Sequence, residues 1–191
     1  MFRIAIIATV AIALCCQHAE AQHSSAKDQE GAVEGQLPCP ENFDPARYLG
    51  KWYEVARLPN PVQPAGTLAM AEYAAGKEKG EVIVKNSAYT GEGKLISAIE
   101  GKAQLLPNDP PRLAVSFGPV IPQEPNYFVI HVDEDYQHAV VGNPDRKSLW
   151  ILSRKVPITK ETRESLFAIA KKAGFDTQKL FVAGWKEAPS K

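Results

Sequence analysis

The sequence predicts an all-β fold, an eight-stranded antiparallel up-and-down β-barrel with a C-terminal α-helix packed outside. From residue 51 onward the chain breaks into eight short apolar or alternating segments, separated by turns rich in Gly, Pro, Asn and Asp. Apolar residues recur at helical spacing only after the last of these segments, so no long helix is expected between the strands. Eight consecutive strands form a meander, and closing a meander into a barrel removes its unpaired edges. A two-sheet sandwich is the alternative that the strand spacing leaves open.

Length and charge limit the number of domains and the kind of partner. The 191 residues are enough for one domain with a sizeable core. Lys and Arg number 22, as do Asp and Glu, so the formal net charge is zero. A nucleic-acid partner would require a basic surplus, so none is expected.

The first 21 residues have the pattern of a secretory signal peptide. Arg3 supplies the positive charge, residues 4–14 form an apolar core, and Ala19-Glu20-Ala21 has the small-x-small form of a cleavage site. Cys15 and Cys16 leave open a bacterial lipoprotein signal, whose cleavage would leave a lipid-bearing Cys at the N-terminus. We therefore expect a secreted or periplasmic protein, with an outer-membrane lipoprotein as the alternative.

The segment after the signal peptide is predicted to be a flexible leader. Residues 22–40 are rich in Gln, Glu, Ser and Gly and show no apolar period. Cys39 would be the one thiol left after cleavage at Ala21, so the domain would fold without an internal disulfide. A disulfide between two chains, and with it the oligomeric state, stays open. The barrel domain is predicted over 41–186, followed by a polar tail over 187–191.

The elements of this domain follow in order. Asp44 and Pro45 predict an N-cap and the first turn of a short helix over 45–49. Thr159 predicts the N-cap of a helix over 159–173, Gly174 is placed to end it, and a short strand over 180–184 follows. The eight predicted barrel strands are 51–58, 67–75, 81–89, 95–105, 112–117, 127–132, 138–142 and 148–154.

The start of the first strand is suited to closing one end of a barrel. Gly50 permits a sharp bend, and Trp52, one step inside the strand, can plug a narrow end with a large apolar area. A Gly-x-Trp triplet by itself is weak support for any fold. Its value depends on motifs farther along the chain.

Three such motifs together resemble the lipocalin family. Gly50-Lys51-Trp52-Tyr53-Glu54 is similar to the first lipocalin signature, Asp133-Glu134-Asp135-Tyr136 to the second, and Leu149-Trp150-Ile151-Leu152-Ser153-Arg154 to the third. The string over 136–148, with Gly142-Asn143-Pro144-Asp145-Arg146 at its turn, resembles one branch of the family. That branch holds bacterial outer-membrane lipocalins, plant temperature-induced lipocalins and apolipoprotein D.

The resemblance implies a barrel, an outer helix and a cup for an apolar ligand. It also implies that Arg154 packs across Trp52 at the closed end, so Gly50, Trp52 and Arg154 are predicted to be structural. Physical chemistry favours this pairing, since a desolvated contact between a guanidinium and an indole can contribute about 2 kcal/mol.

Side chains alternate along a strand, so one inward residue predicts the facing of its neighbours. If Trp52 faces inward, alternation predicts that Glu54, Ala56 and Leu58 also face inward. If Arg154 faces inward, it predicts the same for Trp150 and Leu152. The family's register adds Ala69, Ala71 and Tyr73; Val84, Asn86 and Ala88; Leu113, Val115 and Phe117; Tyr127, Val129 and His131; and Ala139 and Val141.

Six inward residues are candidates for ligand contact, because a pocket needs apolar walls and a few polar groups. They are Tyr73, Asn86, Phe117, Tyr127, Val129 and Trp150. The alternative is that these side chains simply fill the barrel. Two Pro-rich loops, 58–66 and 118–125, are predicted to rim the mouth.

Catalysis is not expected. His131 and His138 lack a recognisable nucleophile motif, and neither a Gly-rich phosphate loop nor metal-ligand spacing is present in the sequence. The sequence therefore predicts no enzyme, metal or cofactor, and the resemblance to lipocalins implies a carrier for a small hydrophobic ligand such as a fatty acid or lysophospholipid. The alternatives are a membrane-associated protein that scavenges oxidised lipids and, less favoured, a protein-interaction module that uses the outer helix.

Overall fold

In the part of the chain that the structure describes, nine β-strands form one antiparallel sheet that closes on itself, and one long helix lies outside it. The computed structural model describes residues 36–106 and 111–189. The predicted signal peptide, with Cys15 and Cys16, and the leader up to residue 35 lie outside the described residues. The predicted barrel with an outer helix is confirmed, and the sandwich alternative is wrong.

The observed elements follow the predicted order closely. The strands are β1 (Gly50–Arg57), β2 (Leu68–Ala75), β3 (Glu81–Tyr89), β4 (Leu95–Leu105), β5 (Arg112–Ser116), β6 (Tyr127–Val132), β7 (His138–Gly142), β8 (Leu149–Ser153) and β9 (Phe181–Val182). The helices are α1 (Pro45–Tyr48) and α2 (Lys160–Lys172), with a short 3₁₀ turn at Thr177–Lys179.

Strand β1 closes the barrel because it pairs with two different strands. Its first half pairs with β2, where Trp52 lies opposite Ala71. Its second half pairs with β8, where Glu54 lies opposite Leu152. Pairing on both sides leaves no exposed sheet edge between the first and last barrel strands. The end at Gly50 is called the closed end below, and the end at the β1–β2 loop is called the mouth.

A β-bulge divides β1 and corrects part of the predicted facing. The pairing with β8 shifts between Glu54 and Ala56, so one extra residue is accommodated there. Glu54 faces inward as predicted, but Arg57 takes the next inward position, opposite Trp150. The prediction that Ala56 and Leu58 face inward is wrong, because both are buried on the outside of the barrel.

A second bulge corrects the facing of His131. The pairing of β6 with β7 shifts between Val129 and His131, which places His131 opposite the outward Val140. Val132 lies opposite Ala139 and packs against the barrel interior in its place. His131 therefore does not share the inner face with Val129.

The two largest apolar clusters lie on the two sides of the barrel wall. The inner core comprises Tyr48, Trp52, Tyr73, Val84, Ala103, Leu113, Val129, Tyr136, Ala139, Val141 and Leu152. The outer core comprises Leu37, Val55, Ala56, Leu58, Phe128, Ile130, Val140, Leu149, Ile151, Leu166, Ala170, Ala173 and Phe175. Leu37 is 4% exposed, so ordered packing begins four residues before the predicted start of the domain.

Helix α2 is built as its sequence predicts. The hydroxyl of Thr159 accepts a hydrogen bond from the Thr162 amide at 3.1 Å, and Gly174 follows the helix with φ +88°. The stripe that contains Leu166 and Ala170 is buried in the outer core, so it is not available to a partner protein. In the part of the chain that the structure describes, no helix combines the length and the apolar character that a bilayer crossing requires.

Candidate functional site

The closed end is sealed by Trp52 and Arg154. Trp52 is fully buried, and the guanidinium carbon of Arg154 lies 3.7 Å from the centroid of its ring. The indole nitrogen of Trp52 donates to the Tyr48 carbonyl at 2.8 Å, and Gly50 makes the preceding bend with φ +91°. The Arg154 side chain donates to three carbonyls, those of Arg47, Lys51 and Tyr136.

Three tyrosine hydroxyls form a hydrogen-bonded cluster above this seal. The Tyr127 hydroxyl lies 2.8 Å from that of Tyr48 and 3.0 Å from that of Tyr73. Burial raises the pKa of all three groups, that of Tyr73 to about 12, so each hydroxyl keeps its proton at neutral pH. The three hydroxyls supply three protons, and two hydrogen bonds use two of them. One O–H therefore remains able to donate to another acceptor.

Nearer the mouth, a buried ion pair occupies the wall. Glu54 and Arg57 are 3% and 2% exposed, and the guanidinium donates to the carboxylate. Arg57 also donates to the Thr67 carbonyl at 3.1 Å and to the Pro64 carbonyl at 3.0 Å. Burial raises the pKa of Glu54, and this effect outweighs the opposing attraction of Arg57. The pair is neutral as a unit and its guanidinium is already occupied.

Gln63 ties the β1–β2 loop to the wall at the mouth. Its amide nitrogen donates to the Glu54 carboxylate at 2.7 Å, and its amide oxygen accepts from the Trp150 indole nitrogen at 2.9 Å. Trp150 is therefore located near the mouth, as predicted. Sequence reasoning missed Gln63 and Arg57, because alternation along a strand predicts neither the direction of a loop side chain nor a facing beyond a bulge.

The structure brings five of the six predicted contact residues to the inner face. Tyr73 and Val129 belong to the inner core, and Tyr127 and Trp150 pack against it. Asn86 is two residues from the inward Val84 on the same strand. Phe117 follows the end of β5 and is 42% exposed at the mouth. Contact between any of the six and a ligand stays a prediction.

The inner wall is predominantly apolar and carries no unbalanced charge. Among the described strand residues, the inward positions carry one acidic and one basic side chain, Glu54 and Arg57, and these pair with each other. Across residues 36–106 and 111–189, no group of three or more His, Cys, Asp or Glu side chains is arranged to hold a metal ion. The arrangement is suited to enclosing an apolar molecule.

Comparisons with known proteins agree with this geometry. A family model described as a lipocalin-like domain matches residues 43–184. The outer membrane lipoprotein Blc of Escherichia coli (strain K12) is 36% identical over 148 residues, which cover 78% of this chain and 81% of Blc. Temperature-induced lipocalin-1 of Arabidopsis thaliana is 36% identical over 151 residues, covering 75% of this chain and 80% of that protein.

Solved structures share the same architecture. Insecticyanin from the tobacco hornworm Manduca sexta superposes with a TM-score of 0.60 at 21% sequence identity. The superposition covers 81% of this chain and 89% of insecticyanin. At this identity the likeness concerns the fold alone.

Proposed function

Because this chain belongs to the lipocalin family, we propose that it binds a small hydrophobic ligand in its barrel and carries or sequesters it. The observation that supports the proposal best is the inner wall, where small and large apolar side chains alternate around one sealed end. Inward residues of this kind are Ala71, Val82, Val84, Ala103, Leu113, Val115, Val129, Ala139, Val141 and Leu152. A fatty acid, a lysophospholipid or a similar lipid fits this description.

The binding mechanism requires no covalent chemistry. An acyl chain or ring that enters at the mouth exchanges water for the apolar wall, which contributes about 25 cal/mol for each Å² of apolar surface buried. Trp52 and Arg154 block the opposite end, so the ligand enters and leaves at the mouth. Trp150, which lies beside Gln63, is placed to report on entry.

We expect a fluorescent fatty acid to bind wild-type protein saturably and to quench its tryptophan fluorescence. Replacing Trp150 by Ala should weaken this binding by about fivefold or more, because it removes apolar contact worth on the order of 1 kcal/mol. Trp185→Phe is the matched control, since Trp185 packs outside the barrel with Leu68 and Met70.

Two results would count against this proposal. The absence of saturable binding to wild-type protein would contradict the proposed function itself. Unchanged affinity of the Trp150→Ala variant would remove Trp150 from the site while leaving the function standing.

We propose as a second function that the protein works at a lipid surface, where it protects membrane lipids by taking up oxidised ones. Apolar side chains exposed around the mouth favour this hypothesis. Val62 in the β1–β2 loop is 81% exposed and Val120 in the β5–β6 loop is 75% exposed. Ile99 and Phe117, which follow the inner face toward the mouth, are 52% and 42% exposed. A relative named an outer membrane lipoprotein supports a location in the cell envelope or outside the cell.

We expect wild-type protein to co-sediment with phosphatidylcholine–phosphatidylglycerol vesicles, because insertion of Val62 and Val120 would bury apolar surface. The double variant Val62→Ser/Val120→Ser should bind at least fivefold less, whereas Lys51→Ser, an exposed position next to Gly50 at the closed end, should bind normally. Equal sedimentation of wild type and double variant would contradict a role for Val62 and Val120 at the mouth.

Mass spectrometry of the mature N-terminus distinguishes Gln22 from an acylated Cys16, and therefore a soluble form from a lipid-anchored one.

A further inference from the structure

Asn86 places an unpaired polar atom on the inner wall. It lies on β3 opposite Ala71 of β2 and Ile99 of β4, and its neighbour on the same face is Val84 of the inner core. The amide oxygen of Asn86 is buried and has no hydrogen-bond partner in the part of the chain that the structure describes. A buried amide oxygen without a partner is destabilising, so it is completed by a donor from outside the chain, water in the unliganded cup or a polar group of the ligand that displaces it.

The chemistry of an amide restricts what that group can be. The side-chain amide of Asn can turn over, which exchanges the positions of its oxygen and nitrogen. The missing partner must donate a hydrogen bond if the buried atom is the oxygen, and accept one if it is the nitrogen. A hydroxyl meets both requirements, because it carries one O–H and two lone pairs. A purely hydrocarbon segment meets neither, and it would leave the amide dehydrated and unpaired.

Charge on the inner wall excludes an ionic partner at this depth. The inward cation on the described strands, Arg57, is already bound to Glu54 and to two backbone carbonyls. Arg154 at the closed end is stacked on Trp52 and bonded to three backbone carbonyls. A carboxylate or phosphate buried beside Asn86 would therefore have no free counter-ion, and burying an unpaired charge is strongly unfavourable. The buried part of the ligand is consequently uncharged.

We infer that the cup is selective for lipids that carry a hydroxyl within their buried portion, and that Asn86 receives this hydroxyl. Any charged head group of the ligand stays at the mouth. This inference rests on the proposed function, since it assigns a ligand class to the same cup. It also makes hydroxylated acyl chains, the products of lipid oxidation, better ligands than their unmodified parents.

The test compares stearate with a series of monohydroxystearates that differ in the position of the hydroxyl. We expect at least one positional isomer to bind wild-type protein about three- to tenfold more tightly than stearate, the range that one net hydrogen bond supplies. In Asn86→Leu the same isomer should bind no more tightly than stearate. Lys85→Ala is the matched control, because Lys85 is exposed on the opposite face of the same strand and its loss should keep the preference.

Chemical unfolding of the unliganded proteins tests whether a loss of preference in the variant reflects misfolding. Asn86→Leu should be at least as stable as wild type, because it replaces an unpaired buried polar group by an apolar one. The inference is overturned if stearate binds saturably but no hydroxylated isomer binds more tightly, or if Asn86→Leu keeps the preference. Failure of stearate and every isomer to bind would instead overturn the proposed function, and the inference with it.

Discussion

Replacing Trp52 by Ala is expected to lower the free energy of unfolding by about 3–5 kcal/mol, as large aromatic truncations in cores do. Trp52 is fully buried, so the truncation leaves a cavity at the closed end. It also exposes the face of the Arg154 guanidinium that stacks on the ring and removes the donor to the Tyr48 carbonyl. The loss therefore combines apolar transfer, cavity formation and an unpaired carbonyl.

Urea unfolding followed by far-UV circular dichroism measures this effect without relying on tryptophan fluorescence. Trp52→Phe serves as the control, because it keeps an aromatic ring for Arg154 and should lose less than half as much stability. A loss below about 1 kcal/mol for Trp52→Ala would show that the closed end is not a rigid seal.

Breaking the Glu54–Arg57 pair on one side is expected to be similarly costly. Either Glu54→Leu or Arg57→Met alone should lower the free energy of unfolding by about 3–5 kcal/mol, because each leaves one buried charge uncompensated. The double variant should lose at least about 2 kcal/mol less than the sum of the two single losses, since it buries no unpaired charge.

A double-mutant cycle of urea unfolding curves measures the coupling. Lys102→Met provides the control for removing a cation from a surface pair, because Lys102 and Glu81 pair on the outside of the barrel. That change should leave the urea midpoint essentially unchanged, because solvent screens an exposed pair. Additive losses for Glu54→Leu and Arg57→Met would show that the two side chains act independently.

The sequence predicted where the strands lie along the chain, but it predicted only in part which side chains point into the barrel. β3, β4, β6 and β7 have the predicted bounds, because period and turn chemistry are local properties. The bulges after Glu54 and Val129 arise from pairing with β8 and β7, which lie far away in sequence. Local alternation cannot register an extra residue of this kind, which is why Ala56, Leu58 and His131 were placed on the wrong face.

Some residues of the candidate site could likewise be identified from the sequence, and others could not. Trp52 and Arg154 were identifiable because signatures at both ends of the barrel sequence contain them. The register implied by the resemblance to the family placed Asn86 on the inner face, but its lack of a hydrogen-bond partner is visible only when the neighbouring strands are in position. Gln63 was not identifiable at all, because loop side chains follow no period.

The position of Arg154 has a consequence for the order in which the chain folds. Its hydrogen bonds to the carbonyls of Lys51 and Arg47 span 103 and 107 residues. During synthesis the second half of β1 has no strand partner until β8 has left the ribosome, so the barrel closes late. Contacts of such long range make folding slow, and a nascent chain that ends before β8 leaves the second half of β1 with an unpaired edge, a feature that favours aggregation. Arg154, which directly follows β8 and seals the finished cup, therefore emerges from the ribosome as this vulnerable interval ends.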